Sequence, residues 1–234
     1  MTLDLFFRGR TTLVTGASGG IGAETARQLG AVGARVLLVA RTEAALDAVA
    51  AEVRARGGDA RTLVADLAAP GAPEALVARL AESVDVLVAN AGVGVRARFA
   101  ETAPDDIRTM AMLNVVSLTD LARLLLPDML AARRGGILTV ASTAAFVPAP
   151  TFAVYSATKA YVLSFTDALH AELRGSGVHA TSLCPGPVLT GFGARAGMSP
   201  AFFANALTGV LPAETVARAG LDALTRNRRA SCRA

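Results

Sequence analysis

The sequence predicts an α/β domain: a doubly wound parallel sheet in three layers, with helices on both faces. Three observations carry this. Short β-branched runs alternate with longer Ala/Leu/Glu/Arg segments of helical period along the chain. Strands that alternate with helices imply parallel pairing through right-handed crossovers. No linker-like stretch, repeat or low-complexity tract divides the 234 residues, a length that suits one α/β domain spanning 1–234. A glycine-rich turn joins the first strand to the first helix.

Composition narrows the function classes. Lys and Arg total 23 against 19 Asp and Glu, a formal charge of +4. The arginines are scattered apart from Arg133-Arg134 and the set Arg226, Arg228, Arg229 and Arg233. Aromatic residues are 5% with no tryptophan, which argues against a nucleic-acid surface. Apolar residues reach 53%, yet no uninterrupted run approaches the ~18 residues of a membrane span. The first ten residues lack the apolar core and cleavage site of a signal peptide, so a cytoplasmic protein is expected. Cys184 and Cys232 are too few and too unpatterned for a disulfide framework or a metal cluster.

Strands are expected at 11–15, 35–39, 61–64, 84–89, 137–141 and 178–183, and helices at 21–32, 43–56, 73–82, 105–133, 152–174 and 214–225. The first strand runs into Thr15-Gly16-Ala17-Ser18-Gly19-Gly20-Ile21-Gly22 and then a helix. Glycines allow a tight turn and close approach to a pyrophosphate, and a helix N-terminus presents free N–H groups. Strand before and helix after is the context that turns this spacing into a dinucleotide site. The second strand ends Ala40-Arg41-Thr42 with no acid to hold ribose hydroxyls, whereas Arg41 suits a 2′-phosphate. NADP(H) is therefore expected over NAD(H). The missing acid also disfavours an S-adenosylmethionine methyltransferase. Thr42 alternatively serves as a helix N-cap.

Asp66 either meets an adenine amino group or caps the next turn. Asn90-Ala91-Gly92 follows the fourth strand, where small residues let the chain pass close to a cofactor. Asn114 interrupts an apolar helical run as either a cross-brace or part of a proton relay. Ser142 ends the fifth strand, at the edge where open α/β sheets bind ligands.

Tyr155-Ser156-Ala157-Thr158-Lys159 holds the single lysine of the chain. Lysine is a compact, rotatable, titratable donor, and arginine is none of these. At a four-residue spacing the phenol and the ammonium share a helix face. A neighbouring cation favours phenolate, so a tyrosine poised as general acid/base near neutral pH is expected. Pro148 and Pro150 place Tyr155 near its helix start, where the dipole adds to that pull.

Taken in order, Thr15-Gly16-x-x-x-Gly20-x-Gly22, Asp66, Asn90-Ala91-Gly92, Asn114, Ser142, Tyr155-x-x-x-Lys159 and Pro185-Gly186-Pro187-Val188-Leu189-Thr190 resemble the short-chain dehydrogenase/reductase family, over roughly residues 9 to 226. The resemblance implies a Rossmann-type fold and interconversion of a carbonyl and an alcohol by hydride transfer with NADP(H). It implies that Tyr155 exchanges the proton, Ser142 orients the oxygen, Lys159 holds the nicotinamide ribose, and Asn114 supports a water leading to Lys159. It places the cofactor against Gly16, Ser18, Gly19, Gly20, Ile21, Gly22, Arg41, Thr42, Asp66, Leu67, Asn90, Ala91, Gly92, Pro185, Gly186, Val188 and Thr190, besides Tyr155 and Lys159.

Two departures stand out. Gly19 occupies a position that is often basic in NADP(H)-dependent relatives. The family's seventh strand is not visible, so an absent or shortened edge strand is expected. An apolar substrate wall is expected from Phe146, Val147, Pro148, Phe152, Phe192, Met198, Phe202 and Phe203, with a lid around 190–212 hinged on glycines. A homodimer or homotetramer is expected, with no membrane, nucleic-acid or metal partner. The competing reading is a non-catalytic NADP(H) sensor or scaffold, which would tolerate loss of Ser142, Tyr155 or Lys159.

Overall fold

The computed structural model describes residues 2–199 and 209–233. Seven parallel strands form one sheet in the order β3-β2-β1-β4-β5-β6-β7. They are β1 (Thr11–Thr15), β2 (Arg35–Ala40), β3 (Asp59–Val64), β4 (Val86–Ala89), β5 (Gly135–Val140), β6 (Val178–Pro185) and β7 (Ala230–Arg233). The central strands are buried along their whole length, as a parallel sheet covered on both faces requires.

Alternation sorts the side chains into two cores. Val14, Val36, Leu38, Val88 and Leu138 face α2 (Gly20–Ala31), α3 (Glu43–Ala55) and α9 (Ala213–Thr225), the last following a short helix α8 (Gly191–Arg195). Leu13, Leu37, Val39, Leu87 and Ile137 face α4 (Ala72–Ala78), α6 (Ser117–Ala131) and α7 (Ala153–Glu172). Helix α9 lies close on β5 and β6 because Gly220 carries no side chain; a Cβ there would sit 2.9 Å from Leu183 Cδ2. A short helix α1 (Leu3–Phe7), not anticipated from sequence, buries Phe6 and Phe7 against the first core.

One expectation is narrowed and one needs correction. Of an absent or a shortened seventh strand, the shortened one is present, four residues long: Ser182 to Pro185 pair in register with residues 230–233. Its residues Ala-Ser-Cys-Arg have no strand-like apolar pattern, because backbone pairing to β6 forms it. The helix expected at 105–133 is interrupted. Helix α5 (Pro104–Ala111) passes into one π turn, Met112–Val116, before α6 begins. Single π turns of this kind occur often at functional sites.

The order of strands reverses direction between β1 and β4, and their carboxyl ends form the crevice where open α/β sheets take ligands. The glycine turn, Arg41, Thr42, Asp66, Asn90, Ala91 and Gly92 return to that edge.

Candidate active site

The crevice is tied together at the ends of β1 and β4. Thr15 Oγ1 accepts from the Asn90 and Ala91 N–H groups at 3.0 and 2.9 Å. Asn90 Nδ2 donates back to Thr15 O at 2.9 Å and Gly16 O at 3.2 Å. These bonds draw the two loops so close that Gly16 (φ +64°) has no room for a Cβ, which would lie 2.7 Å from Asn90 Nδ2. Gly20 (φ +56°) meets Thr190 in the same way, at 3.0 Å. Gly22 lies beneath the turn, where a Cβ would overlap Gly16 O. It therefore packs the turn and does not line the cavity.

Above this turn lies a cavity of about 600 Å³, lined by Gly16, Ser18, Gly19, Gly20, Ile21, Arg41, Thr42, Asp66, Leu67, Asn90, Ala91, Gly92, Ser142, Tyr155, Lys159, Pro185, Gly186, Val188 and Thr190. Of the catalytic and cofactor-binding residues expected from sequence, Gly22 and Asn114 are absent from that lining. The protein groups fit a dinucleotide. Helix α2 starts with no side-chain cap, leaving its first N–H groups at the glycine-lined wall. Thr42 stands at the N-cap of α3 but makes no capping bond, so its hydroxyl is open to the cavity beside Arg41. Asp66 caps the next turn, accepting from the Ala68 N–H at 3.1 Å, and it also lines the cavity.

Ser142, Tyr155 and Lys159 converge on the opposite wall. Ser142 follows β5 and caps a 3₁₀ turn, its Oγ accepting from the Ala144 N–H at 3.1 Å. Its hydroxyl also faces the Tyr155 phenol, whose pKa it pulls down. Helix α7 begins at Ala153, so Tyr155 lies in its first turn as expected. Lys159, one turn on, is 5% exposed and donates from Nζ to Val140 O at 2.7 Å. Its ammonium lies 5.7 Å from the Tyr155 ring centre.

The phenol does not behave as expected. Burial pushes the Tyr155 pKa up to about 12, against the opposing pull of Ser142. Burial likewise brings Lys159 down to about 8. Desolvation disfavours both charged forms and is the largest influence on each. The protein's own side chains thus hold Tyr155 as a protonated donor rather than a near-neutral phenolate.

Asn114, in the π turn and 1% exposed, is a brace behind this wall. Its Oδ1 accepts from the Val93 N–H and its Nδ2 donates to Val93 O, both at 2.9 Å. Nδ2 also donates to Thr158 Oγ1 at 3.0 Å, and Thr158 donates to Tyr155 O at 2.7 Å. Thr158 was not anticipated; its place one residue before Lys159 was the available signal.

The expected apolar wall is half right. Phe152, Phe192 and Met198 line the cavity, and the Phe192 ring packs 5.5 Å from the Tyr155 ring. Phe146 and Val147 are exposed and Pro148 lies outside the lining, because the chain turns outward after the 3₁₀ turn. Phe202 and Phe203 lie outside the described residues. Two arginines missed from sequence, Arg96 and Arg195, also line the cavity. The Arg96 N–H donates to Ala196 O at 2.9 Å, which sets the two arginine-bearing loops side by side.

A doubly wound sheet with a glycine cradle at its switch point and a buried Tyr–Lys pair opposite defines a nucleotide-dependent oxidoreductase scaffold. Comparison with known proteins makes this specific. Residues 10–199 match the family model for short chain dehydrogenases. Ketoacyl reductase HetN of Nostoc sp. is 37% identical over 77% of this chain and 64% of its own length; for the next two curated relatives the latter share is 53%. A short-chain dehydrogenase from Sphingobium yanoikuyae, solved with NADPH, superposes with a TM-score of 0.88 at 32% identity, over 95% of this chain and 87% of that one. A relative from Burkholderia phymatum, solved with NAD, has a TM-score of 0.87 at 26% identity, over 97% and 89%. The chain belongs to the short-chain dehydrogenase/reductase family.

Proposed function

We propose that the protein reduces a ketone or aldehyde, or oxidises the corresponding alcohol, with NADP(H) and with Tyr155 as the proton-transferring residue. The observation that carries this reading is the convergence of Ser142, Tyr155 and Lys159, from two separate elements, on one wall of a cavity whose far end is the glycine turn.

The bound nicotinamide supplies the hydride chemistry, and the protein supplies position and a proton. The N–H groups of Gly19 to Ile21 would hold the pyrophosphate, Asp66 and Leu67 the adenine, and Pro185, Gly186, Val188 and Thr190 the nicotinamide side. Arg41 has no carboxylate partner among the described residues and stands beside the open Thr42 hydroxyl, which supports a 2′-phosphate over a bare ribose. Lys159 would take the nicotinamide ribose hydroxyls.

Negative charge develops on the carbonyl oxygen as it is reduced. Hydroxyl donors from Tyr155 and Ser142 placed at that oxygen stabilise the transition state more than the ground state. A phenol held protonated by burial is a ready proton donor in reduction. Asn114 keeps the Gly92-Val93 loop and the first turn of α7 in fixed relation. A water route to Lys159 past Asn114 is part of the same proposal.

The substrate side combines Val93, Phe152, Phe192 and Met198 with Arg96 and Arg195. It suits an apolar carbonyl compound. We read 1–234 as one NAD(P)-binding domain of a cytoplasmic protein, with a substrate lid around 190–212, of which 200–208 lie outside the described residues. Helix 104–131 is long and apolar enough to span a membrane by length and composition alone. Its α6 portion packs on the sheet and on α4. Its exposed Val116, Leu124 and Leu130, with Tyr161 of α7, support burial against a second copy in a homodimer or homotetramer.

The test is NADPH oxidation against a panel of aldehydes and ketones. Turnover that is lost in Tyr155→Phe is the expected result. Measurable NADPH binding with no turnover of any carbonyl would favour a sensor instead.

A further inference from the structure

The mechanism uses neither cysteine of the chain, yet the last sheet ladder sets the two opposite each other. Cys184 on β6 and Cys232 on β7 are register partners in a parallel pair. Register partners on adjacent strands project to the same face. Strands ~4.8 Å apart fall within the ~4.4–6.8 Å Cα separation that a disulfide spans. The Cys232 thiol is a near neighbour of Cys184 and adds to the burial that raises its pKa. Access differs sharply between them: Cys184 is fully buried in the core shared with α7, whereas Cys232 is exposed at the sheet edge.

We propose that Cys184 and Cys232 form a reversible intrachain disulfide, with small peroxides as the oxidant and thiols as the reductant. The exposed Cys232 sulfur attacks one peroxide oxygen. The O–O bond breaks, leaving a sulfenic acid on Cys232 and releasing water. The Cys184 sulfur then attacks the Cys232 sulfur; the S–O bond breaks, and the hydroxyl leaves as water with the Cys184 proton. Two thiols have lost two electrons and two protons, and hydrogen peroxide has become two waters. Burial keeps Cys184 protonated, which makes it the resolving thiol and Cys232 the one first oxidised.

The bond joins a four-residue edge strand to the strand whose carboxyl end meets the cofactor cavity. Pro185 and Gly186, which directly follow Cys184, line that cavity. The long loop it closes would restrict the unfolded chain, so the oxidised form is expected to be the more stable one.

The experiment treats the purified protein with a small excess of hydrogen peroxide, beside Cys232→Ser and Cys184→Ala. Thiols are counted after denaturation, peptides are mapped by mass, and the product is run on a non-reducing gel. Wild-type protein should lose both thiols, stay monomeric on the gel and yield a Cys184–Cys232 cross-linked peptide. Its melting midpoint should rise by roughly 5–10 °C, reversibly with dithiothreitol. Cys232→Ser should keep its remaining thiol and its midpoint; it is the main control, since Cys184→Ala also opens a core position. A Cys232–Cys232 linked dimer, over-oxidised Cys232 beside a free Cys184, or a cross-link that leaves the midpoint unchanged or lower would each overturn the proposal. None of these readouts requires turnover, so the outcome is independent of the enzymatic reading.

Discussion

Asn114 and Val93 exchange two hydrogen bonds, each 2.9 Å long, so that one side-chain amide pairs with the N–H and C=O of a single residue as a neighbouring strand would. The pairing extends order past the end of β4, into the loop that lines the cavity. It also explains why an amide is tolerated at 1% exposure. Asn114→Ala would leave the Val93 groups and the Thr158 acceptor without partners. A loss of roughly 2–4 kcal/mol in unfolding free energy is expected, read by urea denaturation, with Asn114→Asp intermediate. A change below about 0.5 kcal/mol would show that the brace is dispensable.

Tyr155→Phe removes the proton donor while keeping the ring that packs on Phe152 and Phe192. We expect kcat to fall by about 10²–10⁴ with NADPH affinity changed by less than about threefold. Isothermal titration beside steady-state kinetics separates the two. A variant that kept near-normal turnover would remove Tyr155 from the chemistry.

Lys159 carries a pH signature. Unfolded, it holds its proton up to about 10.5; folded, burial brings that value down to about 8. Between these values the unfolded chain binds more protons, so stability rises with pH through that window and the burial cost is fully felt below pH 8. Lys159→Met should therefore stabilise the fold at pH 7, by on the order of 2–3 kcal/mol, with the gain shrinking toward pH 10. Tyr155 acts oppositely. Its folded value of about 12 exceeds the ordinary 10.0, so stability falls as pH climbs between the two. Melting curves of wild type and the Lys159 variant from pH 6 to 10 test the Lys159 window, and wild-type curves from pH 10 to 12 test that of Tyr155. Lys159→Arg keeps the charge but should lose most of the rate, because a planar guanidinium cannot replace a rotatable donor at the Val140 carbonyl.

Arg41→Ala should raise the KM for NADPH by roughly tenfold to a hundredfold, about one or two charge-assisted bonds' worth, and leave NADH use little changed. Comparing kcat/KM for the two cofactors decides it. Equal losses with both would mean that Arg41 does not read the phosphate.

Gly94→Ala tests the packing of the reacting wall. A Cβ there would lie 2.9 Å from Phe192 Cζ and 3.0 Å from Tyr155 Cδ2, so one ring has to move. A displacement of this size is expected to lower kcat by about ten- to a hundredfold with little effect on cofactor affinity. Restoration of rate by adding Phe192→Leu would locate the cause.

What the sequence determined by itself was whatever depends on local chemistry. Strand and helix periods, the glycine turn and the ordered positions of Asn90, Ser142, Tyr155 and Lys159 were legible there, because each requires a particular residue type at a fixed spacing. What depends on partners distant in the chain was not. The strand at 230–233 forms only against β6, since its own residues carry no strand signal. The π turn and the Asn114–Val93–Thr158 bonds join residues from three separate segments. The titration of Tyr155 was misjudged for the same reason. Helical spacing reveals the neighbouring cation, whereas the desolvation that raises the phenol pKa exists only once the layers close over the site.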